Sequence, residues 1–400
     1  MQKKMMILGA SELQVPAIRK AKELGYQIIL VDYNEKAVGF DLADVKLVVS
    51  TLDQEEVYHQ ALIYQPDVVI TSTSDGPVRT AAYVNEKLGK RPDLSYEDSL
   101  CATIKSHMRN RLKENHVPIP EYYAVQNFEE FQAAVEALNG NCIVKPADNA
   151  GSRGVTALNG TKVQTEEELL STYEYSKDHS RNGTVMVEEY MTGPEVSVEA
   201  MTVNGKTTIL TITDKFITPP PYFVEIAHSE PSSLSGEIQE RIRQVALQAI
   251  AAIRLENGPS HTEIKVTEQG PKIVELAARL GGDFITSKLV PLSTGVDMVG
   301  ASVLLATGEK VNLESKWNKG AAIHFIQGTE GVIKNIEIDE ALYDLEGVEE
   351  TVLYKKAGDT VHATKSSNDR IGHIITVGED AAQALETGRK ALELVKVEVI

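Results

Sequence analysis

The stretch HTEIKVTEQGPKIVELAAR, residues 261–279, holds the side chains best placed to do chemistry. Apolar and polar residues alternate on either side of TEQGP, the pattern of two strands joined by a tight turn. With the turn centred near Gln269, Glu263 and Glu275 are equally far from it and oppose each other across the pair. Opposed residues have Cβ atoms only about 4.5–5.5 Å apart, and like charges there destabilise a sheet. A hard divalent cation between the carboxylates removes that penalty, and Mg2+ binds one or two carboxylates together with substrate phosphates. His261, Glu263 and Lys265 share a face, so the alternative is a register slip by a bulge, with one glutamate solvated and Lys265 neutralising the other. Arg279 follows Glu275 and can grip a carboxylate or phosphoryl group through paired hydrogen bonds. Gly281 and Gly282 then let the backbone approach the same ligand.

A second candidate is IVKPADNAGSRGV, residues 143–155. Gly151, Ser152 and Gly154 beside Lys145 and Arg153 make a loop whose backbone N–H groups can point at an anion. A β-turn that merely contains charges is the alternative.

These pieces need a scaffold. The first hundred residues alternate short apolar strands (KMMILGA, QIILVDYN, LVVS, DVVITST) with helical patterns (VPAIRKAKELGY, EEVYHQALIYQ), which predicts a doubly wound parallel sheet. Gly9 and Asp32 sit where a dinucleotide site has its turn and its acid, but GASELQ lacks the further glycines of that fingerprint. The strand ends could shape a pocket for another small molecule instead. A linker at 89–98 leads to one long helix, SLCATIKSHMRNRLKENH, stopped by Pro118 and Pro120. A compact α+β lobe over about 121–190 contains the loop. Antiparallel strands from 184 to 214 turn at Asn204–Gly205 in a type I′ hairpin. A helix over roughly 235–256 precedes the hairpin, and the last ninety residues read as a smaller α+β piece closed by a helix from Ala381 to Leu394.

Bulk properties set limits. A formal charge of −18 argues against nucleic acid. No apolar run reaches the roughly 18 residues of a membrane span, and MQKKMMILGA is too short for a leader. Cys101 and Cys142, without CxxC spacing, imply neither disulfide framework nor zinc site. A soluble cytoplasmic protein is the expectation.

Taken in order, the motifs resemble the ATP-grasp ligases, clearly over residues 1–305 and loosely beyond. The resemblance implies an N-terminal domain over 1–100, an ATP-grasp domain over 101–305 with its lid lobe at 121–190, and a C-terminal subdomain over 306–400. It implies that Lys105 and Lys145 reach the nucleotide phosphates and that DNAGSRGV, with Gly151, Ser152, Arg153 and Gly154, closes over the β- and γ-phosphates. VEEYMTGPEVSVE would be the hinge, with Glu188 at the adenine amino group, Glu189, Tyr190 and Met191 along the ring edge, and Glu195 on the ribose. Glu263 and Glu275 match the metal carboxylates. Many members have Asn where this chain has Ala277, and ELAARLGG looks like the L-amino-acid (dipeptide) ligase branch. There Arg279 would engage the carboxyl or phosphoryl group under attack. The segment TDKFITPPPYFVEIAHSEPS, with Phe216, Tyr222, Phe223 and His228, would lie at the substrate pocket, a structural histidine being the alternative for His228.

The expected function is therefore an ATP-dependent carboxylate–amine ligase acting through an acyl phosphate on amino acids. ATP and Mg2+, with Mn2+ as a substitute, are the expected cofactors. The expected partners are a small carboxylate, a small amine and a second copy of the chain, with neither nucleic acid nor membrane. The rivals are a purine-biosynthesis or biotin-carboxylase-like enzyme activating a small acid, and a non-catalytic nucleotide binder.

Overall fold

A computed structural model describes residues 2–400 except 91, 92, 150, 152, 163, 220–222 and 365. The N-terminal sheet forms as the pattern requires: β1 (Lys4–Leu8), β2 (Gln27–Asp32), β3 (Val45–Val48) and β4 (Val68–Ile70) are parallel, in the order β3-β2-β1-β4. Strand alternation sends Met5 and Ile7 into a core with Ala17 and Ile18 of α1 (Val15–Glu23). Met6 and Leu8 face Val57 of α2 (Gln54–Tyr64) and Val84 of α3 (Gly76–Lys87). Burial on both faces is why these strands are apolar throughout.

The single long helix expected before Pro118 is two: α4 (Tyr96–Cys101) and α5 (Lys105–Glu114). β-Branched Thr103 and Ile104 weaken the helix at the join, Ile104 is extended (φ −130°, ψ 114°), and the Lys105 N–H donates to the Ala147 carbonyl at 2.7 Å. Lys105 thus opens a helix and is tied to the lid lobe.

In that lobe β5 (Tyr122–Val125), β6 (Cys142–Pro146), β7 (Thr156–Leu158) and β8 (Val185–Glu189) form an antiparallel sheet, β5-β8-β6-β7. It packs on α6 (Phe128–Ala137) and α7 (Glu166–Asp178) around Phe131, Val144 and Tyr173. The antiparallel run expected from 184 to 214 belongs to two sheets, and residues 190–194 cross between them.

The larger sheet starts with β9 (Glu195–Val203) and β10 (Lys206–Ile217), whose turn residues Asn204 and Gly205 have φ +51° and +74°, as a type I′ turn requires. It adds β11 (Glu225–Glu230), β12 (Gly258–Thr267) and β13 (Gly270–Ala277), with α8 (Gly236–Ala252) packed against it. The C-terminal residues extend the same sheet. β14 (Gly320–Ile326) pairs with β11, and the full order is β13-β12-β9-β10-β11-β14-β18-β16. Here β16 is Val348–Leu353 and β18 Gly372–Gly378, while β15 (Gly331–Ile338), β17 (Thr360–Val361) and β19 (Val395–Val399) make a separate small sheet. Among the described residues no single helix is long and apolar enough to cross a membrane.

Candidate active site

β12 and β13 turn through Glu268–Gln269, with Thr267 opposite Gly270 and Ile264 opposite Ile273. A regular ladder would continue with Glu263 against Val274. A bulge shifts the register by one, and Glu263 faces Glu275. The opposition read from the sequence therefore arises through the bulge that had stood as its alternative. Such a bulge turns two successive residues to one side: Ile273 and Leu276 are buried in the core, while Val274 and Glu275 line a cavity.

Arg109, one turn after Lys105 on α5 and fully buried, holds the bulge in place. Its guanidinium donates to the carbonyls of Ile273 (3.1 Å) and Val274 (2.8 Å) and pairs with both oxygens of Glu188 at 2.9 Å. Lys145 reaches the same carboxylate at 2.7 Å. Burial raises the Glu188 pKa, but Arg109 and Lys145 outweigh it and bring the group down to about 2. Burial keeps Lys145 below its ordinary value despite Glu188.

Each facing glutamate gives one oxygen to a lysine. Glu275 Oε1 takes Lys105 at 2.8 Å; Glu263 Oε1 takes Lys215 at 2.7 Å and His261 Nε2 at 3.4 Å. Lys265, the expected neutraliser, pairs with Glu195 instead, at 2.8 Å. Despite burial, Lys215 and His261 hold Glu263 well below the ordinary carboxylate value, and Glu275 holds Lys105 above the ordinary amine value. The Oε2 atoms of Glu263 and Glu275 have no protein hydrogen bond among the described residues. Two free carboxylate oxygens fit a hard cation that takes its other ligands from phosphate and water. Among the described residues no three His, Cys, Asp or Glu side chains converge as a metal set, and Ala277 is buried beside His261 rather than at the pair.

Glu263 and Glu275 lie on the wall between two cavities. One, of about 180 Å3, is lined by Lys105, Lys145, Glu188, Tyr190, Met191 and Glu195, the sequence candidates for the nucleotide. The other, of about 220 Å3, is lined by His228, His261, Arg279, Gly282 and Asp283. Gly151 lines both and Arg153 the first; Ser152 and Tyr222 lie outside the described residues. Glu189 lines the first cavity, but its carboxylate clasps Lys272 at 2.9 and 3.0 Å, and both oxygens of Glu195 are held by Lys215 and Lys265.

Arg279 donates Nε to Asp75 at 2.7 Å and Nη1 to the Leu280 carbonyl, leaving Nη2 without a protein partner among the described residues. His228 is buried, with Nε2 at 3.1 Å from Asp283 and Nδ1 unpartnered. Asp283 is held in turn by both terminal nitrogens of Arg370, from the C-terminal piece, and stays well below the ordinary carboxylate value against the cost of burial.

Three expectations need correction. Gly281 does not face a ligand: a Cβ there would come within 2.8 Å of His261 Nδ1 and 2.9 Å of Glu199 Oε2, so the glycine makes room for the buried His261–Glu199 pair. Phe223 lines the first cavity, among the nucleotide candidates, not the second one, and Phe216 lines neither. Gly154 packs against His179, where a Cβ would sit 2.6 Å from that residue's Cβ, whereas Gly151 has open space. Both have positive φ, so Gly154→Ala should cost roughly 1–3 kcal/mol in thermal or urea unfolding and Gly151→Ala clearly less. Equal losses would contradict the packing described.

Sequence reasoning missed Arg109, Lys215, Asp75, Asp283 and Arg370. Arg109 carried one usable signal: four residues after Lys105 on a helix, it shares that residue's face. The others join segments far apart in the chain, and nothing local marks them.

This arrangement, a cavity between a small antiparallel lobe and a larger sheet with paired acids in its wall, is that of the ATP-grasp class. Residues 138–287 match the ATP-grasp domain, and this stretch of the chain is an ATP-grasp domain. Residues 323–399 match L-amino acid ligase C-terminal domain 2. Among curated proteins, the chain is 29% identical over 293 residues to the uncharacterized protein y4rH of Sinorhizobium fredii, covering 72% of this chain and 59% of that one. It is 25% identical over 302 residues to an L-arginine-specific L-amino acid ligase of Bacillus subtilis, covering 75% and 72%. The chain thus spans between about half and three quarters of the length of such relatives. The L-amino acid ligase of Bacillus licheniformis superposes with a TM-score of 0.82 at 19% identity, covering all of both chains, a likeness of fold. The family works with ATP and Mg2+.

Proposed function

We propose that the protein is an ATP-dependent carboxylate–amine ligase that forms an amide or peptide bond between amino acids and releases ADP and phosphate. The observation that carries this reading is the position of Glu263 and Glu275 on the wall shared by the two cavities, each with one oxygen free. ATP would lie in the first cavity, with Lys105 and Lys145 toward its phosphates and the hinge residues Glu188–Met191 along the base. The acid substrate would lie in the second, its carboxylate against the open Nη2 of Arg279. Mg2+, held by the two glutamates, would neutralise charge on the transferring phosphoryl group.

In the first step a carboxylate oxygen attacks the γ-phosphorus and ADP leaves, giving an acyl phosphate. In the second the amine nitrogen attacks the acyl carbon, loses a proton, and phosphate departs. Closing of the Gly151 loop would keep water from the mixed anhydride. The amino acid branch is supported by the C-terminal domain match. A pure nucleotide binder would have no use for the second cavity with its open arginine. Mn2+ in place of Mg2+, a homodimer, no nucleic acid or membrane as partner, and work in the cytoplasm complete the reading; the charge of −18 and two free, buried cysteines support it.

Hydroxylamine tests the intermediate. With the carboxylate substrate alone it should yield a hydroxamate with ADP, and ¹⁸O from a labelled carboxylate should appear in phosphate. Arg279→Ala should weaken trapping strongly with ATP affinity nearly unchanged. AMP as product, or ADP without label transfer, would overturn the mechanism.

A further inference from the structure

A third cavity, of about 780 Å3, is several times larger than the nucleotide cavity (about 180 Å3) and its neighbour (about 220 Å3). It lies outside the carboxyl ends of the parallel strands, the usual ligand position in such sheets: Gly9 follows β1, Asp32 ends β2, Ser50 follows β3 and Thr73 follows β4. It adjoins the other two cavities at Gly151 and Glu275, which line all three. The amine can thus approach the acyl carbon from a side not taken by the nucleotide. The volume lies within the roughly 300–1,000 Å3 of sites for drug-sized ligands, more than a single free amino acid fills.

The charges lining this cleft are unequally satisfied. Asp32 accepts from the N–H groups of Ala10 and Asn34, both at 2.8 Å, and Asp75 and Glu275 hold Arg279 and Lys105. Asp148 accepts from the backbone of Arg181 (2.9 Å) and Asn182 (3.2 Å) and the hydroxyl of Ser180 (3.1 Å). The guanidinium groups of Arg79 and Arg181, which also line the cleft, have no hydrogen bond or ion pair among the described residues. Arg181, from the lid lobe, has Nη1 3.8 Å from where a Cβ on Gly76 would sit, at the first turn of α3. Arg79 is three residues along that helix, on the same face. In a chain of net charge −18, a half-buried Arg79 and an exposed Arg181 from different lobes at one cleft suit an anion that bridges them.

We propose that this cleft is the acceptor subsite and that the amine substrate is an elongated molecule with an anionic group, carboxylate or phosphate, remote from its amine and bound by Arg79 and Arg181. The inference rests on the ligase reading above. An anion held by both arginines would also draw the lid lobe toward the N-terminal domain, so the lid would close best when the acceptor is in place.

The test uses the whole enzyme with ATP, Mg2+ and the carboxylate that gives the strongest hydroxamate signal. Acceptors are compared in pairs that differ in charge: glycyl-L-glutamate against glycyl-L-glutamine, and O-phospho-L-serine against L-serine. At least one anionic member should have a KM about tenfold or more below that of its neutral partner; which pair shows the difference tells carboxylate from phosphate. Arg79→Gln and Arg181→Gln should each raise the KM of that anionic acceptor about tenfold and leave the neutral one unchanged, with kcat little affected. Hydroxamate formation, which involves no acceptor, reports separately on the first step and on the fold. Hydroxamate without charge preference in either pair, or a preference that survives in the double variant, overturns the inference alone. No hydroxamate and no ADP from any acid would sink the ligase reading, and this inference with it.

Discussion

An Arg109→Ala variant should lose roughly 3–5 kcal/mol of stability, because buried Glu188 keeps only Lys145 as its counter-charge and the carbonyls of Ile273 and Val274 lose their donor. Arg109 is fully buried and Glu188 nearly so, and the pair is made through two hydrogen bonds at 2.9 Å. The variant should also lose most activity for a separate reason, since the same guanidinium holds the carbonyls of Ile273 and Val274 and with them the bulge that turns Glu275 toward Glu263. The pH dependence has a definite sign. Glu188 is depressed from an ordinary 4.5 to about 2, so its contribution is fully present above pH 4.5 and is lost as pH falls toward 2. The gap between wild type and variant in urea unfolding should therefore be flat at neutral pH and narrow in acid. A variant within about 1 kcal/mol of wild type at pH 7 would remove Arg109 from this role.

Glu275→Gln should lower kcat by about a thousandfold or more with little change in melting temperature. A metal ion at transferring phosphate supplies several kcal/mol of charge stabilisation, and each 1.36 kcal/mol is a factor of ten. The fold should hold because the substitution removes a charge opposite Glu263 and takes nothing from the core; the amide can still accept from Lys105. Glu263→Gln should behave alike. Near-normal kcat in Glu275→Gln at saturating Mg2+ would remove the pair from the metal site.

Much of this was legible in the chain. Period-two and period-3.6 patterns gave the parallel sheet, the lid lobe and the hairpin, because each depends on neighbouring residues. The pairing of Glu263 with Glu275 was reached by counting from the wrong turn centre, and the bulge corrected the count by one residue. A bulge is chosen by tertiary contacts, here the two carbonyl bonds from Arg109, so no local pattern shows it. The break at Thr103–Ile104 was hidden because the segment is helical on both sides; two β-branched residues weaken a helix without ending it, and the bond from Lys105 to Ala147 completes the interruption. Cross-chain charge partners such as Lys215 on Glu263 or Arg370 on Asp283 depend on which strands become neighbours, and that is settled only when the sheet is assembled.

The pairing of β11 with β14 bears on how such a protein could be recombined. The last ninety residues extend the larger sheet by three strands, and Ile323 and Phe325 share a core with Met5 and Ile7 of the first strand. Trimming the chain near residue 305 would bare the edge of β11, an open template for another chain's strand. It would also take Arg370 away from Asp283, and so loosen the wall behind His228. The C-terminal region is thus no interchangeable cassette. A chimera that borrows it from a related protein must bring a matching β11 edge and a partner for Asp283, or it should precipitate before its specificity can be assayed.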